Sequence, residues 1–362
     1  MHILIIEDDK DIRDSYEKQI VLYNMEASNL EVTYELAINF EEAKSRLGEN
    51  FDAVIIDLKL DETLEYKGRL ILESIKTNLR YISYVITGNP EIIEEEADTQ
   101  NAFFKIRVKG EDDSNFYLVL EEIEKTVRTG ITKIIGKRGQ IEKYLHDIFW
   151  LHLSNSVDLW EDDKRSDEEK EKSLLRYTLS HMQEYLDLSS TGGLEKYHPA
   201  EFYITEPVKK NIFTGDILIT DRSERCVILT PACDIDKKNG TRKADKILTL
   251  RILSPTEVDS EYGNSGMSKT KMGKFKQIID NKIPRYHFIP KAGSIEGGII
   301  DFQDKYTISD TDLEERIEQK HILRIATISN PFLKDVISRY SSYYSRQGSP
   351  DFDSDELIKD LF

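Results

Sequence analysis

The stretch FDAVIIDLKL, residues 51–60, decides the fold of the N-terminal third of this chain. Within it, residues 53–56 read Ala-Val-Ile-Ile, an apolar and largely β-branched run, and Asp57 follows directly. A run without polar alternation predicts a strand that is covered on both faces, as in a parallel α/β sheet. Open α/β sheets place their chemistry at the carboxyl ends of the strands. The pattern therefore indicates Asp57 as the functional residue of this third.

Strand and helix patterns alternate on either side of this stretch. Apolar strands are predicted over residues 2–6, 31–36, 53–56, 81–86 and 101–108. Amphipathic helices are predicted over residues 10–23, 40–47, 68–77 and 116–127, with a short acidic helix after Pro90. This alternation predicts an α/β fold with a doubly wound five-stranded parallel sheet, right-handed crossovers and helices on both faces.

Polar residues follow four of these strands at the point where each strand ends. They are Glu7 with Asp8, then Asp57, Thr87 and Lys109. Singly, each has a simpler explanation, such as a helix cap or a turn, but the four ends together favour one pocket at the carboxyl edge. Clustered carboxylates are tolerated where a hard cation such as Mg²⁺ lies between them. The cation and an ammonium could neutralise a phosphoryl group on Asp57, since aspartate is an established nucleophile in phosphoryl transfer.

The motifs ILIIEDD, VIIDLKL, VITGN and RVKG occur in that order. With them, residues 1–129 resemble the receiver domain of two-component response regulators. The resemblance implies that Asp57 accepts a phosphoryl group from a sensor histidine kinase. It also implies Mg²⁺ as cofactor, held by Asp57, Asp8, Glu7 through water and the Lys59 main-chain carbonyl. Thr87 and Lys109 would then bind the phosphoryl oxygens.

The chain departs from the pattern of that family at three places. The loop after Asp57 is longer than usual and lacks the common proline. Gly110 follows Lys109 where a proline is usual, so no cis peptide is expected there. Ile106 occupies a position that often carries an aromatic residue, which argues against the aromatic-switch mechanism. Lys105 is a weaker candidate than Lys109 because it lies in mid-strand.

Composition and charge restrict the class of protein. The chain has 362 residues, which favours two or three domains, and it contains no apolar run long enough for a membrane helix. Two cysteines outside any CxxC spacing, and no secretory signal pattern, predict a cytoplasmic protein without a disulfide framework or zinc site. Residues 1–130 carry 29 acidic and 15 basic side chains, which argues against nonspecific nucleic-acid binding there.

Residues 130–190 are predicted to form a helical linker. Apolar side chains recur at helical spacing over residues 131–163 and again over 173–188, on either side of the charged run EDDKRSDEEKEK. Two such helices could form an antiparallel hairpin or the seam of a homodimer. The hairpin is slightly favoured because it needs no partner.

Residues 191–362 are predicted to form a β-rich, barrel-like or α+β effector domain. Strand patterns cover residues 201–204, 216–220, 226–229, 247–253, 286–289, 298–302 and 321–328. A basic stretch, 263–276, could be a loop or start a helix, and 332–344 indicates a closing helix. The arginine- and tyrosine-containing run RYSSYYSRQGSP favours a packed amphipathic helix over base stacking. No helix-turn-helix or winged-helix pattern is recognisable, so nucleic-acid binding has no motif to support it.

No catalytic constellation is recognisable in this region. Cys233 and Asp234 follow a strand, where sites often lie, but a turn with a buried cysteine is the favoured explanation. The order Gly215-Asp216-Ile217, then residues 225–231, then a late Ile-Asp-Phe-Gln strand resembles the small barrel of the MazF/PemK ribonucleases. That resemblance implies Arg225 and Thr230 as site residues.

The sequence thus predicts a response regulator in which Asp57 switches a C-terminal output domain. Two alternatives remain open: a ribonuclease gated by the receiver, and a phosphate sink or protein-binding module.

Overall fold

Five parallel strands form the centre of the N-terminal part of the molecule in this computed structural model. Their bounds are β1 (His2–Ile6), β2 (Thr33–Ala37), β3 (Ala53–Ile56), β4 (Ile82–Thr87) and β5 (Phe104–Val108). Their order in the sheet is β2-β1-β3-β4-β5. The structure describes residues 1–26, 28–60, 67–161, 164–187, 196–238, 240–263, 266–346 and 353–361. The longer loop predicted after Asp57 falls largely on residues 61–66, which lie outside the described residues, as do the last residues of the predicted helical linker, 188–190.

Helices cover both faces of this sheet. They are α1 (Lys10–Asn24), α2 (Phe40–Arg46), α3 (Lys67–Asn78) and α4 (Phe116–Val127). On one face, Ile3 and Ile55 pack with α1 and α4; on the other, Leu4 and Ile56 pack with α2 and α3. Successive residues of a strand point to opposite faces, so an unbroken apolar run fills two cores. The parallel sheet with helices on both faces is confirmed.

The acidic segment after β4 differs from a regular helix. Pro90–Thr99 is a 3₁₀ helix, and at Ile93 the backbone leaves helical values (φ −129°, ψ 29°). Ile93 is buried in the core, whereas the acidic residues around it face solvent. Regular 3₁₀ helices seldom extend beyond one turn. We attribute the position of the break to the burial of Ile93 in the core.

Residues 131–187 form short helices followed by one long helix. They are α5 (Ile131–Ile135), α6 (Gln140–Asp147), a π-helix (Ile148–Leu153), α7 (Asp158–Glu161) and α8 (Asp167–Asp187). The rings of Tyr144 and Tyr185 stack at 4.9 Å, and those of Trp160 and Tyr177 meet at 5.4 Å. Because earlier residues contact later ones in reverse order, this is the antiparallel hairpin that the sequence favours.

A second sheet, antiparallel, forms the C-terminal part. Among the described residues its strands are β6 (Tyr203–Ile204), β7 (Asp216–Thr220), β8 (Arg225–Ile228), β9 (Lys246–Leu253), β10 (Tyr286–Ile289), β11 (Gly298–Ser309) and β12 (Ile322–Ile328). Their order is β10-β11-β9-β8-β7-β12-β6. The hydroxyl of Tyr203 in β6 donates to the carbonyl of Pro290, just after β10. The two edges of the sheet therefore approach each other, and this curled sheet fits the predicted β-rich domain.

In the described parts of residues 196–361, six further α-helices accompany the second sheet. They are α9 (Ala232–Ile235), α10 (Pro255–Val258), α11 (Lys269–Ile279), α12 (Asp310–Glu318), α13 (Asn330–Ser345) and α14 (Ser354–Leu361). The basic stretch near 263–276 starts a helix, α11, at Lys269. On α13, Tyr340 and Tyr343 pack against the core, and the Tyr344 hydroxyl donates to the Phe302 carbonyl. The tyrosines are thus engaged in packing, as the sequence favoured.

The chain separates into two compact units, Met1–Gly193 and Leu194–Phe362. The helical segment belongs to the first unit. The finer division into 1–129, 130–190 and 191–362 stays a prediction. In the part of the chain that the structure describes, no helix is both long and apolar enough to cross a membrane.

Candidate functional site

Lys109 joins two carboxylates at the carboxyl edge of the parallel sheet. Its ammonium lies 2.8 Å from Glu7 Oε2 and 2.9 Å from Asp57 Oδ2. Glu7 follows β1, Asp57 follows β3 and Lys109 follows β5, so parallel strands that end at one edge bring them together. Glu7 and Asp57 are 2% and 7% exposed, so both carboxylates are largely shielded from water.

Asp8 completes a cluster of carboxylate oxygens. One oxygen each from Glu7, Asp8 and Asp57 lies within 4.8 Å of the others. Carboxylate oxygens are the hard ligands that Mg²⁺ prefers, and Mg²⁺ keeps several waters in such sites. The donor set therefore fits a magnesium ion.

Burial controls the charge of this cluster. It raises the pKa of Glu7 to about 7, and the hydrogen bond and positive charge of Lys109 oppose this rise. Burial alone would lower the pKa of Lys109, but its hydrogen bonds to Glu7 and Asp57 outweigh that effect, so its pKa is raised. The amine stays protonated and offers a fixed positive charge beside Asp57.

Lys59 and Thr87 lie at the same edge. The Lys59 N–H points to Asp57 Oδ1 at 3.4 Å, which places the main chain of Lys59 beside the carboxylate. Thr87 ends β4 and is fully buried, and its hydroxyl accepts a hydrogen bond from the Asn89 N–H at 3.1 Å. The Lys109 N–H donates to the Thr87 carbonyl, so the two strand ends are tied together.

Lys105 lies away from this cluster. Its ammonium pairs with Glu122 at 3.0 Å on the α4 side of the sheet. Lys105 lies in mid-strand, so its side chain is directed toward a face of the sheet rather than its edge. The sequence-based preference for Lys109 agrees with this placement.

Sequence reasoning missed two residues that shape the site. The Arg13 guanidinium donates to the carbonyls of Glu7 and Asp8, at 2.9 and 2.5 Å, and so holds the loop after β1. Gly68 lies directly over the strand end: a Cβ there would overlap the Asp57 carbonyl oxygen and approach Leu58 Cα to 2.6 Å. The glycine was visible in the sequence, but the close approach that requires it is a tertiary feature.

The candidate residues of the C-terminal unit have structural partners. The Arg225 guanidinium donates to the carbonyls of Glu296 and Gly297. The Thr230 hydroxyl accepts from the Leu248 N–H at 2.7 Å, and its carbonyl accepts from the hydroxyl of Thr214. These contacts hold the sheet together and do not favour the ribonuclease alternative.

The two cysteines differ in environment. Cys226 is buried, and burial raises the pKa of its thiol to about 11, so it is a core residue. Cys233 is exposed, and its thiol contacts Asp234 at 3.4 Å. The expectation of a buried cysteine at Cys233 is therefore wrong: Cys233 lies on the exposed side of the short helix α9, which buries Ile235 instead.

Comparisons with known proteins give matches to solved structures. No family model matches the chain, and no curated protein matches it. The N-terminal domain of a response regulator/sensory box/GGDEF three-domain protein from Carboxydothermus hydrogenoformans is 18% identical, with a TM-score of 0.28. That match covers 36% of this chain and 99% of the other.

Two CheY-like response regulator receiver domains match similarly. The one from Methylobacillus flagellatus is 19% identical over 34% of this chain and 98% of its own, with a TM-score of 0.27. The one from Methanospirillum hungatei is 19% identical over 37% of this chain and 98% of its own, with a TM-score of 0.28. These structural neighbours are receiver domains that cover about a third of the chain. At such low identity, the chemistry has to be inferred from this chain's own side chains.

Proposed function

We propose that this protein is a two-component response regulator whose Asp57 accepts a phosphoryl group from a sensor histidine kinase. The observation that supports it best is the position of Lys109, which bridges Asp57 and Glu7 beside Asp8. A buried carboxylate next to a fixed ammonium and a hard-oxygen cluster suits the transfer of a charged group.

In the proposed reaction, a carboxylate oxygen of Asp57 attacks the phosphorus of a phosphohistidine. A P–O bond forms, the P–N bond breaks, and the departing imidazole nitrogen takes up a proton. Lys109 then pairs with an oxygen of the incoming group, and the Thr87 hydroxyl donates to another. Positioning and charge compensation carry most of such a transfer.

Glu7, Asp8, Asp57 and the Lys59 main-chain carbonyl would hold Mg²⁺. The bound ion would offset the negative charge of the phosphoryl oxygens. Burial favours the neutral form of Glu7, but the hydrogen bond and positive charge of Lys109 oppose this and favour the carboxylate. Arg13 fixes the loop that carries Glu7 and Asp8.

The proposed consequence is a shift between two arrangements of the protein that alters the output of the C-terminal unit. Such a switch needs a bias of a few kcal/mol between two states.

The test is phosphorylation of the full chain by acetyl phosphate with Mg²⁺, followed by intact mass spectrometry. We expect a gain of one phosphoryl group in the wild-type protein and none in Asp57→Asn. Asp9→Asn is the matched control, because Asp9 caps α1 through its side chain and asparagine can do the same. It should be labelled like wild type. Labelling that persists in Asp57→Asn would refute the assignment.

A further inference from the structure

The helical segment 131–187 exposes an unusual share of its apolar side chains. Among its described residues, Ile148 is the one large apolar side chain that is buried. In the described stretches 131–161 and 164–186, eleven large apolar residues are exposed: Ile134, Ile135, Leu145, Phe149, Trp150, Leu151, Val157, Leu159, Leu175, Leu179 and Leu186. A surface so rich in apolar groups is typical of an interface.

The long helix α8 has one face of aromatic side chains and a separate face of aliphatic side chains. Tyr177, His181 and Tyr185 lie on one, where they contact Trp160 and His152 across the hairpin. We call this face of α8, which packs against the rest of the hairpin, its inner face. A second set of apolar residues lies on another face of α8, and its leucines are largely exposed.

This second set forms a regular stripe. Leu175, Leu179, Met182 and Leu186 follow one another at intervals of four, three and four residues, and the three leucines are 60%, 55% and 64% exposed. Apolar residues repeating every 3.5 residues on average form the seam of a coiled coil. We name these four residues the α8 seam.

We propose that the α8 seam binds the α8 seam of a second copy of this chain, in parallel and in register. Two copies then bury their seams against each other, and each inner face stays packed in its own hairpin. At the N-terminal end, Lys172 occupies the next position of the repeat, with its ammonium 2.7 Å from Glu168 of the same helix. A polar residue at such a position favours one register over others.

The charges beside the seam favour a second copy over a different protein. Glu171 and Arg176 flank the seam on opposite sides at positions g and e of successive heptads. In a parallel pair in register, Glu171 of each helix faces Arg176 of the other, which gives two symmetric ion pairs. Pairs at these positions set partner choice and orientation in coiled coils.

The first experiment measures the mass of the full chain in solution by light scattering at micromolar concentration. We expect twice the chain mass of 42.0 kDa for wild type and the monomer mass for Leu175→Asp/Leu179→Asp. Leu118→Asp is the matched control, because Leu118 is an exposed leucine on α4. It should remain dimeric, and circular dichroism checks that every variant is folded. A monomeric wild type, or a dimer that survives the double substitution, would overturn the proposal.

A charge reversal tests the pairing. Glu171→Arg or Arg176→Glu alone places like charges opposite each other and should raise the dissociation constant of the dimer roughly fivefold. The combined reversal restores both pairs and should return the constant to its wild-type value. Equal effects of the single and combined variants would exclude the parallel register.

Cross-linking gives an independent readout of the register. In a Cys233→Ser background, Leu179→Cys should form disulfide-linked dimers under mild oxidation, because the two residues at 179 face each other. Ser180→Cys lies one position off the seam and is the control that should cross-link poorly. Equal cross-linking at the two positions would contradict an in-register seam.

Discussion

At the scale of single residues, two buried groups show how burial decides charge. Glu7 is buried but has Lys109 beside it, so its raised pKa is held to about 7. His287 is equally buried, at 2% exposed, but has no comparable partner: its Nδ1 makes no hydrogen bond, and Asp335 lies 3.8 Å away. Burial therefore lowers the pKa of His287 to about 3, and the positive charge of Arg339 adds to that effect.

The lowered pKa of His287 predicts a loss of stability in acid. Above the ordinary histidine pKa, both folded and unfolded chains carry a neutral ring and the pKa difference has no effect. As the pH falls below 6.5, the unfolded chain binds a proton that the folded chain does not bind until about pH 3. The free energy of unfolding should therefore fall by roughly 2 kcal/mol between about pH 6.5 and pH 5 from this group alone.

The variant His287→Leu should lose this part of the pH dependence. Urea unfolding followed at several pH values between about 5 and 8 measures it. His321→Leu is the control, because His321 is exposed on the same unit. We expect it to keep the wild-type slope. If His287→Leu also keeps that slope, His287 is not the group responsible.

At the scale of elements, the start of α3 is pressed against the end of β3. The Gly68 N–H donates to the Leu58 carbonyl at 3.2 Å, and the glycine leaves no room for a side chain above Asp57. This contact brings the helix close to the strand that carries the proposed phosphoacceptor.

Gly68→Ala should therefore destabilise the N-terminal unit. We expect the free energy of unfolding to fall by about 1–3 kcal/mol, since the added methyl group meets backbone atoms that cannot move aside. Gly273→Ala is the control, because nothing lies within 4 Å of a Cβ at that position of α11. It should stabilise the protein by about 0.5–1 kcal/mol through helix propensity. Chemical denaturation measures both, and a neutral Gly68→Ala would contradict the close packing.

At the scale of the whole molecule, each unit has its own sheet and its own core. Apolar clusters lie within the first unit on both faces of the parallel sheet, and others lie within the curled sheet of the second. A unit with a complete core can fold independently.

The fragments 1–187 and 196–362 should therefore each fold alone. Thermal melts followed by circular dichroism should show a cooperative transition for each fragment. The fragment 1–187 should also be labelled on Asp57 by acetyl phosphate, because the cluster of Glu7, Asp8, Asp57 and Lys109 lies wholly within it. A non-cooperative melt of either fragment would show that its core depends on the other part of the chain.

Much of this molecule was predictable from local sequence patterns. The bounds predicted for β1, β3 and β4 from the unbroken apolar runs lie within one residue of the observed bounds. The polar residues at the strand ends also indicated Asp57 and Lys109 as site residues. Strands and amphipathic helices depend on the spacing of neighbouring residues, so a linear pattern suffices for them. The parallel order of the first sheet also follows, because alternating strands and helices permit few topologies.

Other features depend on contacts between residues far apart in the chain, so the linear pattern cannot supply them. Examples are the order and curl of the second sheet, the close approach of the backbone at Gly68 and the exposure of the Cys233 side chain. The two faces of α8 are a further case, because both are apolar in the sequence and the packing of the hairpin alone determines which is left exposed. The pKa of Glu7 likewise depends on burial and on an ammonium 102 residues away. In each case the deciding free energy comes from tertiary packing, which excludes water and joins distant charges.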